Sequence, residues 1–340
     1  MVSRLVEVAE FAGVSEATVS RVLNGKSGVA QSTRAAVLTA LDVLGYERPP
    51  HLRGRANRLV GLVVPEMSNP VFPAFVGVIG TALAQRGFTP VLCTGTLGGV
   101  HESDYVDMLL EHQVIGAIFI CGLHSERAAD HRHYDRLTER GLPLVAVNGI
   151  PPELKIPCVS ADDAMAVELA VKHLASLGHR RIGLAVGEQG HIPAARKIDA
   201  FRSAMHEHLG VTDADPDIVQ TMYTLEGGTS AVSRLFRQGV SGVVCGSDVL
   251  ALGAIRAARR MKLDVPGDVS VVGYDDSAFM PFANPPLTTV RQPVDAMGQA
   301  VVTMLLNQIS GAGGSTEEML FEPELVVRGS TAAGPSRNGG

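Results

Sequence analysis

Residues 5–24 read Leu5-Val-Glu-Val-Ala-Glu-Phe-Ala-Gly-Val-Ser-Glu-Ala-Thr-Val-Ser-Arg-Val-Leu-Asn24, the pattern of two short helices joined by a tight turn. Ala9 is small enough for two helices to approach closely, Gly13 can take the left-handed conformation of a sharp turn, and Val19 can lock the second helix onto the first. Ser15 is suited to cap the second helix. The spacing predicts a helix-turn-helix, whose second helix would lie in the major groove of DNA. The alternative is an ordinary helical hairpin.

The stretch around this motif is basic although the whole chain is acidic. A third amphipathic helix is expected from about Ser32 to Leu44, which completes a three-helix domain over residues 1–46. Residues 1–58 hold eight Lys and Arg against five Asp and Glu, a net charge of +3, whereas the remainder carries −9. A basic head on an acidic body is expected of a DNA-binding module attached to a part that does not touch DNA.

Residues 47–58, Glu-Arg-Pro-Pro-His-Leu-Arg-Gly-Arg-Ala-Asn-Arg, form a polar and strongly basic linker. One interpretation is a solvated tether. The other is a segment that becomes ordered only on DNA, with Arg53 and Arg55 beside phosphates or in the minor groove.

From residue 59 onward, short apolar runs alternate with helical stretches. Runs that are apolar throughout indicate strands covered on both faces, and strand–helix–strand order implies parallel sheets. Two sets are separated by a capped helix that starts at 160–163, which predicts two similar lobes with a ligand cleft between them. The predicted strands are 59–64, 89–94, 115–121 and 142–148, then 181–186, 240–245 and 269–273.

Several kinds of chemistry find little support. The chain has no P-loop, no Gly-x-Gly-x-x-Gly after the first strand and no Gly-x-Ser-x-Gly. His124, His131 and His133 lack the firm spacing of metal ligands, so we expect them on a polar surface helix. Asp275 and Asp276 follow a predicted strand, and without a nucleophile or metal they are expected to accept hydrogen bonds from ligand hydroxyls rather than act as acid and base. We therefore expect neither an enzyme nor a cofactor.

The N-terminus lacks the apolar core of a signal peptide, and no apolar run reaches the roughly 18 residues that span a bilayer. The four widely spaced cysteines, at 93, 121, 158 and 245, are expected to be reduced thiols. These features predict a cytoplasmic, nucleoid-associated protein with no membrane partner.

The order of motifs resembles the LacI/GalR family of bacterial transcriptional regulators. In the head the match rests on Thr18-Val-Ser-Arg-Val-Leu-Asn24, Thr33-Arg34 and Leu44-Gly-Tyr46. In the body it rests on Gly61-Leu-Val-Val-Pro65, Ser68-Asn-Pro70, Leu177-Gly-His179, Ser247-Asp248, Ala251-Leu-Gly253, Val265-Pro266, Asp268-Val-Ser-Val-Val-Gly-Tyr-Asp-Asp276 and Pro286-Leu-Thr-Thr-Val290. It covers essentially residues 4–328. The resemblance implies a repressor whose affinity for a pseudo-palindromic operator is controlled by a small effector bound in the cleft.

For the head, the resemblance implies base reading at the start of the second helix by Glu16, Ala17 and Arg21. Arg21 can pair with guanine, Glu16 can accept from cytosine, and Ala17 offers apolar contact with a thymine methyl. Phosphate contacts are expected from Ser15, Thr18, Ser20, Asn24 and Thr33. The linker is about three residues shorter than the family pattern, and Gly54 weakens a helix there by roughly 1 kcal/mol relative to alanine. Minor-groove contact therefore falls either to Leu52 as a wedge or to Arg53 or Arg55.

For the cleft, the resemblance implies a sugar or sugar derivative as effector, with a purine or nucleoside as the alternative. A basic residue before Phe201 belongs to the pattern, and either Arg196 or Lys197 fits, with Arg196 ranked ahead. A sugar-binding protein of a transport system is a further alternative, although it would have a signal peptide and no basic head. The expected effector-binding residues are Asn69, Phe72, Thr96, Asn148, Arg196, Lys197, Ser247 and Asp275.

The resemblance also sets the expected domains: an α/β chain with a helix-turn-helix head (1–46), a linker (47–58) and a two-lobed, periplasmic-binding-protein-like body (59–330). The first lobe would comprise 59–160 plus 289–320, and the second 161–288 plus 321–330. Residues from Ser330 onward lack an apolar pattern, and 331–340 are expected to be a disordered tail. The family's tetramerising heptads are not seen after Leu325, so a homodimer is expected.

Overall fold

The computed structural model describes residues 4–24, 26, 28–46, 58–95, 100–313 and 315–335. The chain divides into two compact units, residues 1–58 and residues 59–340. Among the described residues, the first unit contains three helices and the second contains two mostly parallel sheets with their helices.

The head is a three-helix domain around one apolar cluster, as predicted. Its helices are α1 (Arg4–Ala12), α2 (Glu16–Leu23) and α3 (Gln31–Val43). Gly13, between α1 and α2, has φ of +64°, the left-handed conformation expected at that turn. The buried side chains of the cluster include Val8, Ala9, Val19, Val22, Val37, Ala40 and Leu41.

The body has two lobes, each built on a six-stranded sheet. In the first lobe the strand order is β11-β5-β4-β3-β1-β2, and all neighbouring strands are parallel. Its strands are β1 (Leu59–Val64), β2 (Thr89–Thr94), β3 (Gly116–Ile120), β4 (Leu144–Val147), β5 (Cys158–Ala161) and β11 (Glu318–Phe321). Its helices are α4 (Val71–Gln85), α5 (Glu102–Glu111), α6 (Arg132–Glu139) and α11 (Val294–Ile309).

The second lobe repeats this architecture with the order β12-β10-β9-β8-β6-β7, in which β12 runs antiparallel to β10. Its strands are β6 (Ile182–Val186), β7 (Ile218–Gln220), β8 (Gly242–Cys245), β9 (Ser270–Asp275), β10 (Thr288–Arg291) and β12 (Glu324–Val326). Its helices are α7 (Asp163–Ser176), α8 (Ile192–Leu209), α9 (Leu225–Arg237) and α10 (Asp248–Arg260).

The central strands are covered on both faces, which explains their continuous apolar sequence. Every residue of β3, β4, β6 and β8 is buried. All four cysteines are free thiols. Within the described part of the chain, no helix is both long and apolar enough to cross a bilayer.

The chain crosses between the lobes three times: after β5, after β10 and between β11 and β12. The second crossing lies later than expected. Because β10 pairs with β9 in the second sheet, the return to the first lobe begins after Arg291 rather than at residue 289.

The expected disordered tail is wrong for residues 331–335, which, like Ser330 before them, pack on the second lobe. The side chain of Ser330 is fully buried and donates to the carbonyl of Val271 over 2.6 Å. The amide of Ala332 donates to the hydroxyl of Ser270, and that of Gly334 donates to the carbonyl of Leu177. These hydrogen bonds fix a polar segment that has no apolar pattern to reveal it. Residues 336–340 lie outside the described residues.

Candidate functional site

The candidate DNA-reading helix is α2, and its first turn is fixed by Ser15. The Ser15 hydroxyl accepts from the amide of Thr18 over 3.2 Å, and the two hydroxyls lie 2.9 Å apart. This satisfies one of the free amides that every helix start carries. Val19 and Val22 are buried against the head, so the opposite face of α2 is turned outward.

That outward face carries the residues expected to read bases. Glu16, Ala17 and Arg21 are exposed. Asn24 is also exposed, but its amide donates to the carbonyl of Ser20 over 2.8 Å, so it already has a role in ending α2. Ser20 and Thr33 are half-buried. Leu52, Arg53 and Arg55 lie outside the described residues, and their predicted roles stay predictions.

The body encloses a second candidate site, a cavity of about 870 Å³ between the two lobes. First-lobe residues on its wall come from the ends of strands and the start of α4. Second-lobe residues come from α8, the start of α7, the end of β9 and the loops after β7 and β8. Ligands of open parallel sheets bind at these carboxyl ends. Of the expected effector-binding residues, the wall includes Asn69, Phe72, Asn148, Lys197, Ser247 and Asp275. Thr96 lies outside the described residues.

From the sequence, Arg196 ranks ahead of Lys197 as the residue that faces the ligand. The structure shows the reverse, because Lys197 and not Arg196 lies on the described cavity wall. Arg196 does not belong to the described cavity wall, because its guanidinium forms two hydrogen bonds with Glu318 on β11, of 2.8 and 2.6 Å. Successive residues on a helix point about 100° apart, so when Arg196 faces β11, Lys197 faces the cavity.

Lys197 lies almost fully buried on the cavity wall, where it forms an ion pair with Asp163. Its ammonium also lies 4.2 Å from the centre of the Tyr274 ring. Burial alone would lower the pKa of Lys197, but the neighbouring Asp163 and Tyr223 raise it above its usual value. Lys197 therefore remains charged in the cavity.

Asp275 and Asp276 point to different surroundings. Asp275 lies on the cavity wall and accepts a hydrogen bond of 2.7 Å from the amide of Gln292. Burial and then the nearby Asp248 raise the pKa of Asp275 well above its usual value. Asp276 instead pairs with Arg291 and Arg328, both at 2.7 Å. The φ angles of +116° and +55° at Asp275 and Asp276 show the strained turn that separates them.

Two asparagines of the first lobe are held by their own loops. The Asn69 side chain accepts from the amide of Val71 at the start of α4. Asn148 has φ of +67°, and its amide donates to the thiol of Cys121 over 3.3 Å. Both side chains therefore reach the cavity in a defined orientation.

Other wall residues were not predicted, namely Asp163, His191, Tyr223, Tyr274 and Gln292. Tyr274 and Asp163 adjoin stretches that the sequence singles out, but nothing local shows that their side chains face a cleft. Gln292 follows β10, whose sequence Thr288-Thr-Val-Arg291 contains no continuous apolar run.

The prediction that the histidines lie on a polar surface helix is wrong for His124 and His133, which are buried. His133 lies 2.9 Å from the carboxylate of Glu102, which also accepts from the Tyr134 hydroxyl. Burial disfavours the charged form of Glu102, but the hydrogen bonds from His133 and Tyr134 outweigh it and lower its pKa. His131 contacts two carbonyl oxygens, each at 3.0 Å. The network holds the turn at Leu123–Ser125, and Ser125 of this turn lines the cavity.

No group of three or more potential metal ligands occurs among the residues that the structure describes. The nucleophilic side chains on the described wall include the Ser68 hydroxyl, which donates to Glu66, and the thiol of Cys121. Cys121 lies there, but burial raises the pKa of its thiol to about 12, which keeps it protonated.

Two family models match the chain. "Bacterial regulatory proteins, lacI family" matches residues 4–49, and "Periplasmic binding protein-like domain" matches residues 171–331. The HTH-type transcriptional regulator reg1 of Streptomyces lividans is 54% identical over 343 residues, covering 100% of this chain and 99% of that protein.

Two solved structures show the same architecture over the whole chain. The transcriptional regulator CelR in complex with cellobiose is 33% identical, with a TM-score of 0.73, and covers 96% of this chain and 99% of that chain. The lac repressor dimer bound to operator and the anti-inducer ONPF is 27% identical, with a TM-score of 0.76. The match covers 97% of this chain and 99% of that chain.

Proposed function

The chain belongs to the lacI family of bacterial regulatory proteins and is a DNA-binding transcriptional regulator, and we propose that it is a repressor whose operator affinity is set by a sugar bound between the lobes. A relative that matches over its full length is a transcriptional regulator, so the enzyme and the transport protein are set aside. A homodimer on a pseudo-palindromic operator fits the proposal, since the lac repressor neighbour is a dimer bound to operator.

One observation carries the choice of a sugar: both lobes present neutral hydrogen-bonding side chains and aromatic rings to the same cavity. Asn69 and Asn148 come from the first lobe, and Ser247 and Gln292 follow strands of the second. Phe72 supplies an aromatic wall. A polyhydroxylated ring offers hydroxyls for the amides and an apolar face for the aromatic side chain. The cellobiose bound by CelR supports this class of ligand.

A ligand held by both lobes favours one arrangement of the lobes over others. Its effect on operator binding is then the difference between its affinities for the operator-binding and the released form. In this proposal the change in lobe arrangement reaches the heads of the dimer through the linkers. Arg21 and Glu16 supply the base contacts, Ala17 contributes shape, and Ser15, Thr18, Ser20 and Thr33 hold phosphates.

The DNA-binding part is tested with the full chain and a labelled duplex from the region upstream of its own gene. Fluorescence anisotropy at several salt concentrations separates specific from non-specific binding. We expect tight binding to this duplex and at least about 1,000-fold weaker binding to a shuffled duplex at the same salt. Equal affinity for the two duplexes would argue against an operator in this region.

A further inference from the structure

We propose that the effector is an uncharged sugar of more than one ring, and neither a sugar acid nor a sugar phosphate. The inference rests on the proposed function, since it concerns the same cavity, and it narrows the chemistry of the ligand. It follows from one juxtaposition: in the described part of the cavity wall, each basic side chain already faces a carboxylate of the fold.

Lys197 is the cation to which an anionic ligand would bind, but it already forms an ion pair with Asp163. Both side chains are almost fully buried, with 5% and 6% of their surfaces exposed. A ligand phosphate or carboxylate would have to compete with this buried carboxylate, or lie beside it without a counter-charge. Either arrangement is costly where water is excluded.

The other basic groups near the cavity are paired in the same way. His191, on the wall, lies 3.5 Å from the carboxylate of Glu126. Arg196, behind the wall, is bound at two points to Glu318. The wall also contains a further carboxylate, Glu66, which would repel an anion.

Helix starts offer a second route to anion binding, because their free amides attract negative charge. Side chains of the protein already occupy the starts of two helices beside the cavity. At α7, Asp162 accepts from the amides of Ala164 and Met165. At α10, Ser247 accepts from the amide of Leu250. At α8, which also lines the cavity, no described side chain caps the start, and Pro193 removes one of the free amides.

One acceptor of the wall, the side-chain carbonyl oxygen of Gln292, has no partner among the described residues, and a turn of this side chain would present it to a ligand hydroxyl. Gln292 donates its amide hydrogen to Asp275, and its carbonyl oxygen is buried with no hydrogen-bond partner. A buried acceptor of this kind is costly unless a ligand or water donates to it. A sugar hydroxyl can donate, whereas a carboxylate or phosphate oxygen in the same place would meet another lone pair.

The size of the cavity favours more than one sugar ring. Its volume of about 870 Å³ lies towards the upper end of the range of small-molecule sites, about 300–1,000 Å³. A single hexose would leave much of this space to water. Two or three linked rings would reach both lobes at once.

Isothermal titration calorimetry on the full-length protein tests the proposal. The neutral probes are glucose, ribose, cellobiose, maltose, lactose and cellotriose, and the anionic probes are gluconate, glucose 6-phosphate, ribose 5-phosphate and cellobionate. We expect a neutral di- or trisaccharide to bind at least about tenfold more tightly than every anionic probe and every monosaccharide. Tighter binding of an anionic probe or of a monosaccharide would overturn this inference but leave a sugar effector standing. If no probe bound, the sugar effector itself would be refuted.

The variant Asp163→Asn frees Lys197 and sharpens the test. We expect the preference for cellobiose over cellobionate to fall at least about tenfold, because the lysine can then pair with the ligand carboxylate. Asp199→Asn is the matched control, since it removes an exposed carboxylate from the same helix as Lys197, and it should leave the preference unchanged. An unchanged preference in folded Asp163→Asn would contradict the proposal. If Asp163→Asn does not fold, the proposal is tested by the affinities of the wild-type protein for the neutral and the anionic probes.

Discussion

Arg196 on α8 and Glu318 on β11 form a two-point ion pair that joins the second lobe to the first, with N–O distances of 2.8 and 2.6 Å. The two side chains are 32% and 19% exposed, so the pair is shielded from solvent only in part. The Ser160 hydroxyl also donates to Glu318, close to the first crossing between the lobes. The contact therefore restrains the lobes where the chain passes from one to the other.

Replacing Glu318 by glutamine should weaken this restraint. We expect Glu318→Gln to lower the free energy of unfolding by about 1–2 kcal/mol, because a charge-assisted pair becomes a neutral one on a partly exposed side chain. Urea denaturation measures the change. Glu317→Gln, at an exposed neighbouring residue, is the control and should stay within about 0.5 kcal/mol of wild type. Equal stability of the two variants would show that the pair contributes nothing.

Arg21 should carry sequence specificity in the head. Arg21→Ala is expected to weaken operator binding by about 1–3 kcal/mol, the contribution of one bidentate contact to guanine. Its affinity for shuffled DNA should change much less. Arg237→Ala, which removes an arginine from α9 in the body, is the control. Anisotropy titrations on both duplexes decide, and an equal loss on both would mean that Arg21 holds a phosphate instead.

The raised pKa of Asp275 predicts a pH-dependent stability difference in the unliganded protein. Above the ordinary carboxyl pKa of about 4, the unfolded chain loses this proton more readily than the folded chain. Wild type therefore loses stability as the pH rises through this range, and Asp275→Asn lacks that loss. We expect the stability of Asp275→Asn relative to wild type to increase between pH 5 and pH 8 in urea denaturation.

Asp276 provides the control for this pH effect. Burial opposes ionisation of Asp276, but Arg328 and Arg291 outweigh it and lower its pKa below the ordinary range. The stability it contributes is therefore lost only at pH values below about 4. The difference between Asp276→Asn and wild type should stay constant from pH 5 to pH 8. A pH-independent difference for Asp275→Asn as well would refute the explanation.

Much of the fold could be predicted because its signals are local. Helical periodicity marked α1 to α3, and continuous apolar runs marked the central strands, since each pattern arises within a few residues of chain. Strands such as β7, with three residues, and β11, with an exposed and mixed sequence, carry no such pattern. Their pairing depends on residues far away in the chain.

The site was harder to predict for the same reason. The choice between Arg196 and Lys197 depends on which way α8 is turned. That is set by the packing of its buried apolar face, and the partner of Arg196, Glu318, lies 122 residues away in the sequence. Similarly, His133 is buried because Glu102 and Tyr134 surround it. Neither contact leaves a mark on the sequence near the residue concerned.

The most direct test is to measure operator binding with the cavity empty and with it saturated. The full-length protein is titrated onto the upstream duplex by fluorescence anisotropy, without sugar and with the neutral di- or trisaccharide that binds most tightly in calorimetry. We predict a change in operator affinity of about 5–150-fold, and an equal change in sugar affinity when operator is present, because coupling between two sites is reciprocal. An operator affinity that stays the same within twofold while the cavity is saturated would contradict control by a sugar.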